Sequence, residues 1–243
     1  MTVRSEWRGQ VLLVTLDRPE RRNAVDHATL NALRDAQAAA SSNGARVLVL
    51  TGAPPAFCAG ADLGGVEDRG FTTTLGEVLR GFGELPAVCV AAVDGPALGA
   101  GMQLAAACDL RVATPGSIFG IPAARLGLAL DEWTIERLSR EVGWPTTRAM
   151  LLAAETSTGE ELHRLGFVQR LGPLDVALSW AVELAELAPL TIAAHKLAME
   201  RSAPSPTTDQ DVDDARRRAW TSVDAAEGRT AFREKRRPRF TGT

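Results

Sequence analysis

An α/β fold built on parallel strands is what this sequence predicts, and three observations carry the prediction. Short apolar runs rich in β-branched residues recur at Val11–Leu16, Val47–Gly52, Val88–Val93 and Leu110–Ala113. Each has strand length, and such near-continuous apolar runs suit strands covered on both faces. Helix-like stretches separate them, and strands alternating with helices pair in parallel through right-handed crossovers. Finally, the 243 residues, 45% apolar and 23% charged, match globular composition, which sets aside disordered, collagen-like and coiled-coil classes. That length lies near the upper limit of a single core, so one domain with an appendage is expected.

Taken in order, the first run ends at Asp17-Arg18-Pro19, where proline stops a strand. Asp26 is placed to cap a helix carrying Leu30, Leu33 and Ala36 on one face, with Asn43-Gly44 as its stop. The strand at 47–52 follows, then a helical stretch around 75–85, the strand at 88–93, a small-residue helix over 100–107, and the strand at 110–113. Beyond these, Leu174, Ala177, Leu178, Ala181, Ala185 and Ala188 follow the helical spacing i, i+3, i+4, i+7, and Pro189 is expected to close that helix. After residues 190–199, Ser-Ala-Pro-Ser-Pro at 202–206 reads as a linker. The remainder, to Arg239, is charged and helix-prone, with apolar positions at Val212, Ala215, Ala219, Trp220 and Val223 that need a partner surface. No fixed repeat period is present.

Charge and special residues exclude several function classes. With 27 Lys and Arg against 30 Asp and Glu, the net charge of −3 offers no field for nucleic acid or an anionic membrane, so no nucleic-acid partner is expected. No apolar run reaches bilayer length, and the N-terminal residues lack the apolar stretch of a secretory signal, so neither a membrane span nor export is expected. Cys58, Cys89 and Cys108 form no CxxC pair; an odd set of small buried thiols suits a reducing cytoplasm. His27, His163 and His195 lie too far apart for ligand spacing, so no metal site is expected. The serines lack a nucleophile-elbow pattern.

Two glycine-containing segments concentrate the chemistry. Ala56-Phe-Cys-Ala-Gly-Ala-Asp-Leu63 follows a strand and turns on small residues, which exposes backbone N–H groups. Asp94-Gly-Pro-Ala-Leu-Gly-Ala-Gly-Met-Gln-Leu104 feeds a strand end into a helix whose N-terminal N–H groups and dipole favour negative charge. One donor from each, converging on a single oxygen, would form an oxyanion hole. Gly99-Ala-Gly101 is only half of GxGxxG and does not support a dinucleotide fold.

With these segments, Leu16-Asp-Arg-Pro-Glu-Arg-Arg-Asn-Ala24, Cys108-Asp-Leu-Arg111 and the Phe232-Arg-Glu-Lys-Arg tail, in that order along the chain, the sequence resembles the enoyl-CoA hydratase/isomerase (crotonase) superfamily over nearly its whole length. The resemblance implies a ββα spiral core, taken here as residues 1–188, and a helical C-terminal region, 189–243, that trimerises and often builds hexamers. It further implies a CoA thioester as ligand, with no other cofactor, its carbonyl held by the N–H groups of Ala61 and Ala100. Ala59, Ala61 and Leu63, with Asp62 beside them, would meet the adenine; Arg21 and Arg22, with Lys235 and Phe240 from a neighbouring subunit's tail, would serve the CoA phosphates.

At the acid/base positions the sequence departs from the family pattern. Hydratases of the family use two glutamates, and the matching positions here are Gln103 and Ala123. Glutamine takes no proton at neutral pH and alanine has no polar group. Each missing acid or base is worth about 10²–10⁴ in rate. Asp131 matches the acid/base position of dienoyl-CoA isomerases, and equally suits the N-cap of a helix starting near Trp133. Trp133 is expected in the wall of the acyl pocket, together with Gln103 and Ala123. Two readings follow. One is an acyl-CoA-binding protein without efficient hydratase activity, resembling the actinobacterial members that lack both glutamates and serve mycolic-acid synthesis, with fatty-acid elongation enzymes as partners. The other is an isomerase- or hydratase-type enzyme that uses Asp131 with the backbone hole.

Overall fold

A computed structural model describes residues 2–62, 64, 69–202 and 210–241 of the chain. Residues 203–206 of the expected linker, the site residue Leu63 and the side chain of Val212 lie outside the described residues, while Ser202, the first linker residue, ends a helix. The order is β1 (Val3–Arg8), β2 (Val11–Leu16), α1 (His27–Ser42), β3 (Val47–Gly52), α2 (Arg69–Glu84), β4 (Val88–Val93), β5 (Pro96–Leu98), α3 (Ala100–Ala107), β6 (Leu110–Ala113) and β7 (Ile118–Gly120). Then come α4 (Glu132–Val142), α5 (Trp144–Leu152), β8 (Thr156–Thr158), α6 (Gly159–Arg164), β9 (Arg170–Leu171), α7 (Leu174–Ala185), α8 (Pro189–Ser202), α9 (Gln210–Thr221) and α10 (Val223–Arg233).

The main sheet has the order β1-β2-β3-β4-β6-β9. From β2 to β9 every pairing is parallel, with Val11, Val47 and Val88 side by side in register and Leu13, Val49 and Val90 likewise. The alternation of strand and helix in the sequence thus becomes a parallel sheet, as expected. Strand β1 was not anticipated. It pairs antiparallel with β2, Val3 opposite Leu16 and Arg8 opposite Val11, through a two-residue turn containing Gly9. Only Val3 of its six residues is buried, so it lacks the apolar signature of a strand; its charged side chains suit an exposed edge, which they protect from pairing with other chains.

Contacts divide the chain into two units, Met1–Phe119 with Ser157–Ala203, and Gly120–Thr156 with Pro204–Thr243. The expected boundary at 188/189 concerned subunit assembly, which a single chain does not test. In the first unit, α7 lays Ala177, Ala181 and Ala185 on Val11, Leu13, Val47, Val49, Val90 and Val112 of the sheet. The predicted face is correct as far as Ala185, where small residues let the helix approach the strands closely, whereas Ala188 lies beyond the helix end and is exposed. Pro189 does not close α7: the helix ends at Ala185, and Pro189 opens α8. Proline suits a first helical position because the N–H it lacks would have no partner there.

Helix α8 is tied to the sheet by a buried ion pair. Lys196 Nζ lies 2.7 Å from Asp109 Oδ2 and donates to the Ala87 carbonyl at 2.9 Å, while Asp109 also accepts from the Cys89 N–H. Burial opposes the lysine charge, the Cys89 sulfur and the Asp109 carboxylate favour it, and the balance raises its pKa. In the second unit, α10 packs on the backbone of a short 3-10 turn, Pro122–Leu126. Trp220 of α9 donates its indole N–H to the Ala129 carbonyl at 2.7 Å, and Arg125 donates to the Ala154 carbonyl at 2.8 Å.

Candidate active site

The two glycine segments of the first unit are joined by backbone. The Cys58 N–H donates to the Pro96 carbonyl at 3.0 Å and the Leu98 N–H to the Cys58 carbonyl at 2.9 Å, so the first segment runs beside β5. Beyond β5 the turns touch: a Cβ on Gly99 would sit 3.7 Å from the Gly60 Cα. Each of these glycines immediately precedes one of the two alanines expected to act as donors. Gly99 is the N-cap of α3 with φ +53°, a left-handed conformation for which glycine is best suited. Gly101 serves close approach, since a Cβ there would lie 2.2 Å from the Cys58 carbonyl oxygen.

The direction of Ala61 is set by a second set of bonds. The Ala59 N–H donates to Arg22 O, the Val25 N–H to Gly60 O, and the Asp62 N–H to Val25 O, at 3.0, 2.9 and 2.8 Å. This is a parallel bridge in which residues 60 and 62 bond the neighbouring segment, so the N–H and C=O of Ala61 face the other way. Ala100 is the first residue of α3, where helical N–H groups have no partner of their own. Among the described residues neither the Ala61 nor the Ala100 N–H meets an acceptor. Helix α3 is buried along all eight residues, which shields its N-terminal dipole from water.

The side chains behind these turns are Arg18, Asn23 and Cys58. Asn23, buried and at φ +56°, donates to the carbonyls of Ala53 and Ala56 at 2.7 and 2.6 Å and accepts from the Arg18 N–H. Arg18 reaches Ala24 O at 2.6 Å and pairs with both Asp26 and Asp62 at 3.1 Å. Burial works against ionised Asp26, yet hydrogen bonds from the Thr29 hydroxyl and N–H, with Arg18, hold its pKa below the ordinary value. Burial drives the Cys58 thiol up to about 12, which keeps it neutral and unreactive. Neither Arg18 nor Asn23 was singled out from sequence as a site residue, although both belong to the Asp-Arg-Pro…Asn-Ala segment that carried the resemblance.

The remaining expected site residues fall as follows. Ala59, Ala61 and Asp62 are half-buried in the first turn, and Arg21 and Arg22 are exposed. Gln103 lies buried one helical turn beyond Ala100. Ala123, Asp131 and Trp133 belong to the second unit, where all are half-buried. Asp131 is the N-cap of α4, its Oδ1 accepting from the Thr134 N–H at 2.9 Å. Lys235 and Phe240 are exposed on the tail, beside an open groove of 630 Å³ lined by Val223, Glu227, Arg236, Arg237, Pro238 and Arg239. Arg236 is committed to structure there: it forks onto Glu227 at 2.6 and 2.8 Å and pairs with Glu234 at 2.6 Å. The Arg236 bonds to Glu227, with the Arg239 N–H, lower the Glu227 pKa to about 2. No group of three His, Cys, Asp or Glu is placed to hold a metal ion among the described residues.

Residues 6–243 match the family model described as enoyl-CoA hydratase/isomerase. The chain belongs to that family. The "probable enoyl-CoA hydratase echA6" of Mycobacterium tuberculosis (strain CDC 1551 / Oshkosh) is 43% identical over 239 residues, covering 96% of each chain. The 2,3-dehydroadipyl-CoA hydratase of Escherichia coli (strain K12) is 34% identical over 249 residues, again 96% of each. Methylmalonyl-CoA decarboxylase complexed with 2S-carboxypropyl-CoA superposes with a TM-score of 0.91 at 23% identity, over 100% of this chain and 99% of that one. That likeness concerns the fold alone, and the fold is the crotonase α/β architecture expected from sequence. As a member of the enoyl-CoA hydratase/isomerase family, the protein has an acyl-CoA-related function in fatty-acid metabolism.

Proposed function

We propose that this protein binds a fatty acyl-CoA by its thioester carbonyl, through the N–H groups of Ala61 and Ala100, and does not hydrate enoyl-CoA efficiently. The contact between the turns at Gly60 and Gly99, each just before an unpaired N–H, is the observation that carries the first half. Gln103 and Ala123 carry the second, since neither exchanges a proton at neutral pH. Arg21, Arg22 and the segment Ala59–Asp62, with Leu63, contact the nucleotide end; Lys235 and Phe240 reach it from a neighbouring copy in a homotrimer or dimer of trimers. No cofactor beyond the CoA ligand takes part. In this reading the protein works in the cytoplasm and hands acyl groups to fatty-acid elongation enzymes, as in mycolic-acid synthesis.

A second reading keeps an enzyme. Oδ1 of Asp131 is occupied by the α4 cap, but Oδ2 carries no hydrogen bond among the described residues, so the carboxylate keeps an oxygen for proton transfer. The test is incubation with a panel of enoyl- and dienoyl-CoA substrates alongside calorimetric titration with saturated acyl-CoA. Binding without turnover supports the carrier, whereas isomer formation abolished by Asp131→Asn supports the enzyme. Truncating Trp133 tests the pocket. Trp133→Ala should weaken long-chain acyl-CoA binding while leaving free CoA unaffected, because burial of an indole face against the chain is worth about 25 cal/mol per Å². Equal affinity for acyl-CoA beside a lowered melting temperature would make Trp133 a packing residue instead.

A further inference from the structure

The turn that carries Ala61 is anchored unequally on its two sides. On the N-terminal side Cys58 and Ala59 are bonded into two different segments, at β5 and at Arg22. Beyond the local bond from the Gly64 N–H to Asp62 Oδ1 at 3.5 Å, two ties hold the C-terminal side to other segments among the described residues: the Asp62 N–H on Val25 O, and the Asp62 carboxylate on Arg18. Only the second is a side-chain bond. Arg18 is itself rigidly held, its side chain 15% exposed, with Nη1 on Ala24 O and Asp26 Oδ2 and Nη2 on Asp62 Oδ2. Asp26 is fixed in turn, because its other oxygen caps α1 through the Thr29 N–H at 2.8 Å.

We infer that Arg18 is a positioning residue for the thioester site: by bridging Asp26, at the start of α1, to Asp62, it clamps the turn so that the Ala61 N–H stays aimed at the carbonyl. This rests on the acyl-CoA reading above. Arg18 itself touches no part of the ligand. Its planar fork serves two carboxylates from two nitrogens, a geometry that the single ammonium of a lysine does not reproduce. Asp62, expected from sequence to lie beside the adenine, thereby gains a second duty in the clamp.

The test separates the clamp from the site it serves. Octanoyl-CoA and its thioether analogue S-octyl-CoA differ by the carbonyl, so the ratio of their affinities reads the hole alone. In Arg18→Met that ratio should fall about tenfold, the factor that ~1.4 kcal/mol represents, beside any loss the two ligands share through the nucleotide contacts of the same turn. Without any ligand, amide exchange in the peptide spanning Ala61 and Asp62 should quicken about tenfold on the same conversion, while exchange in β3 stays as it is. Arg18→Lys, which keeps the charge, should shift both readouts in the same direction by less, and it serves if the methionine variant does not fold. Unchanged exchange at 61–62, or an equal loss for both ligands, would overturn the clamp. A wild-type protein that does not prefer the thioester would instead defeat the acyl-CoA reading, and the exchange result would still decide the clamp.

Discussion

The glycine turns around Ala61 and Ala100 and the tail from Glu234 to Thr241 were both expected to meet an acyl-CoA, and they are made differently. The turns are held by backbone hydrogen bonds among small residues, and α3, which one of them starts, is buried throughout. The tail is held by charged side chains facing solvent: Arg236 on Glu227 and Glu234, and Asp224 accepting from the Thr241 N–H at 2.6 Å. A site that must stabilise charge on one oxygen benefits from donors that do not rearrange, and buried backbone provides them. A segment that meets phosphates from solvent needs charge more than rigidity, and its ion pairs are screened by salt.

The sharpest contrast is between a buried ion pair and an exposed one. Lys196→Met should destabilise the protein by about 3 kcal/mol in a urea titration, because it leaves the Asp109 carboxylate under α8 without its cation. Arg236→Met, at an exposed pair, should leave the urea midpoint nearly unchanged while speeding amide exchange in the tail; equal losses for the two variants would erase the contrast. Gly101→Ala should come next. Its Cβ would lie 2.2 Å from the Cys58 carbonyl, so the α3 start must move off the first turn, at about 1–3 kcal/mol of overpacking. Thioester affinity should be lost with it, and a variant that binds normally would show that the contact of the turns is not needed.

Acid should also bear on both regions. Glu227 has its pKa lowered from 4.5 to about 2 by the Arg236 hydrogen bond and the Arg239 N–H. A depressed carboxylate contributes fully above its unfolded value and is lost as pH falls through its folded one. Tail protection should therefore hold above pH 4.5 and fade towards pH 2, measurable by amide exchange over 234–241. The turns should respond in the same sense. Their titrating partner, Asp26, also has a lowered pKa, so its contribution is present above the ordinary aspartate value and lost only as pH falls through the lowered one. The smallest effect is on the thiols. Burial raises Cys58 and Cys89 to about 12 and Cys108 well above its usual value, so none should react with a disulfide reagent at pH 8 in the native state.

Much of the fold was legible because its strands announce themselves. The runs at 11–16, 47–52, 88–93 and 110–113 appear as strands with those bounds, and Asp26 caps α1 as expected. What escaped was whatever lacked an apolar signature: the charged edge strand β1, and the short strands β5, β7, β8 and β9, whose pairing depends on distant partners. Pro189 was misplaced because proline suits the end of one helix and the start of the next, and only the path of the chain separates the two.

For the site, the sequence by itself determined the chemistry on offer: small residues where backbone must approach backbone, a helix start after Gly99, and at Gln103 and Ala123 two side chains that exchange no proton at neutral pH. Those are properties of residue type and local order, which a linear text records. Which groups meet was decided by the tertiary structure alone. Gly60 lies against Gly99 although 39 positions separate them (99 − 60). Arg18 faces Asp62 from 44 residues away, while Arg21 and Arg22, three and four positions further on, point to solvent. The physical reason is that direction belongs to the folded backbone. The left-handed turn at Arg22 and Asn23 sends one arginine of a local cluster inward and leaves the others outside, and nothing in the composition of that cluster distinguishes them.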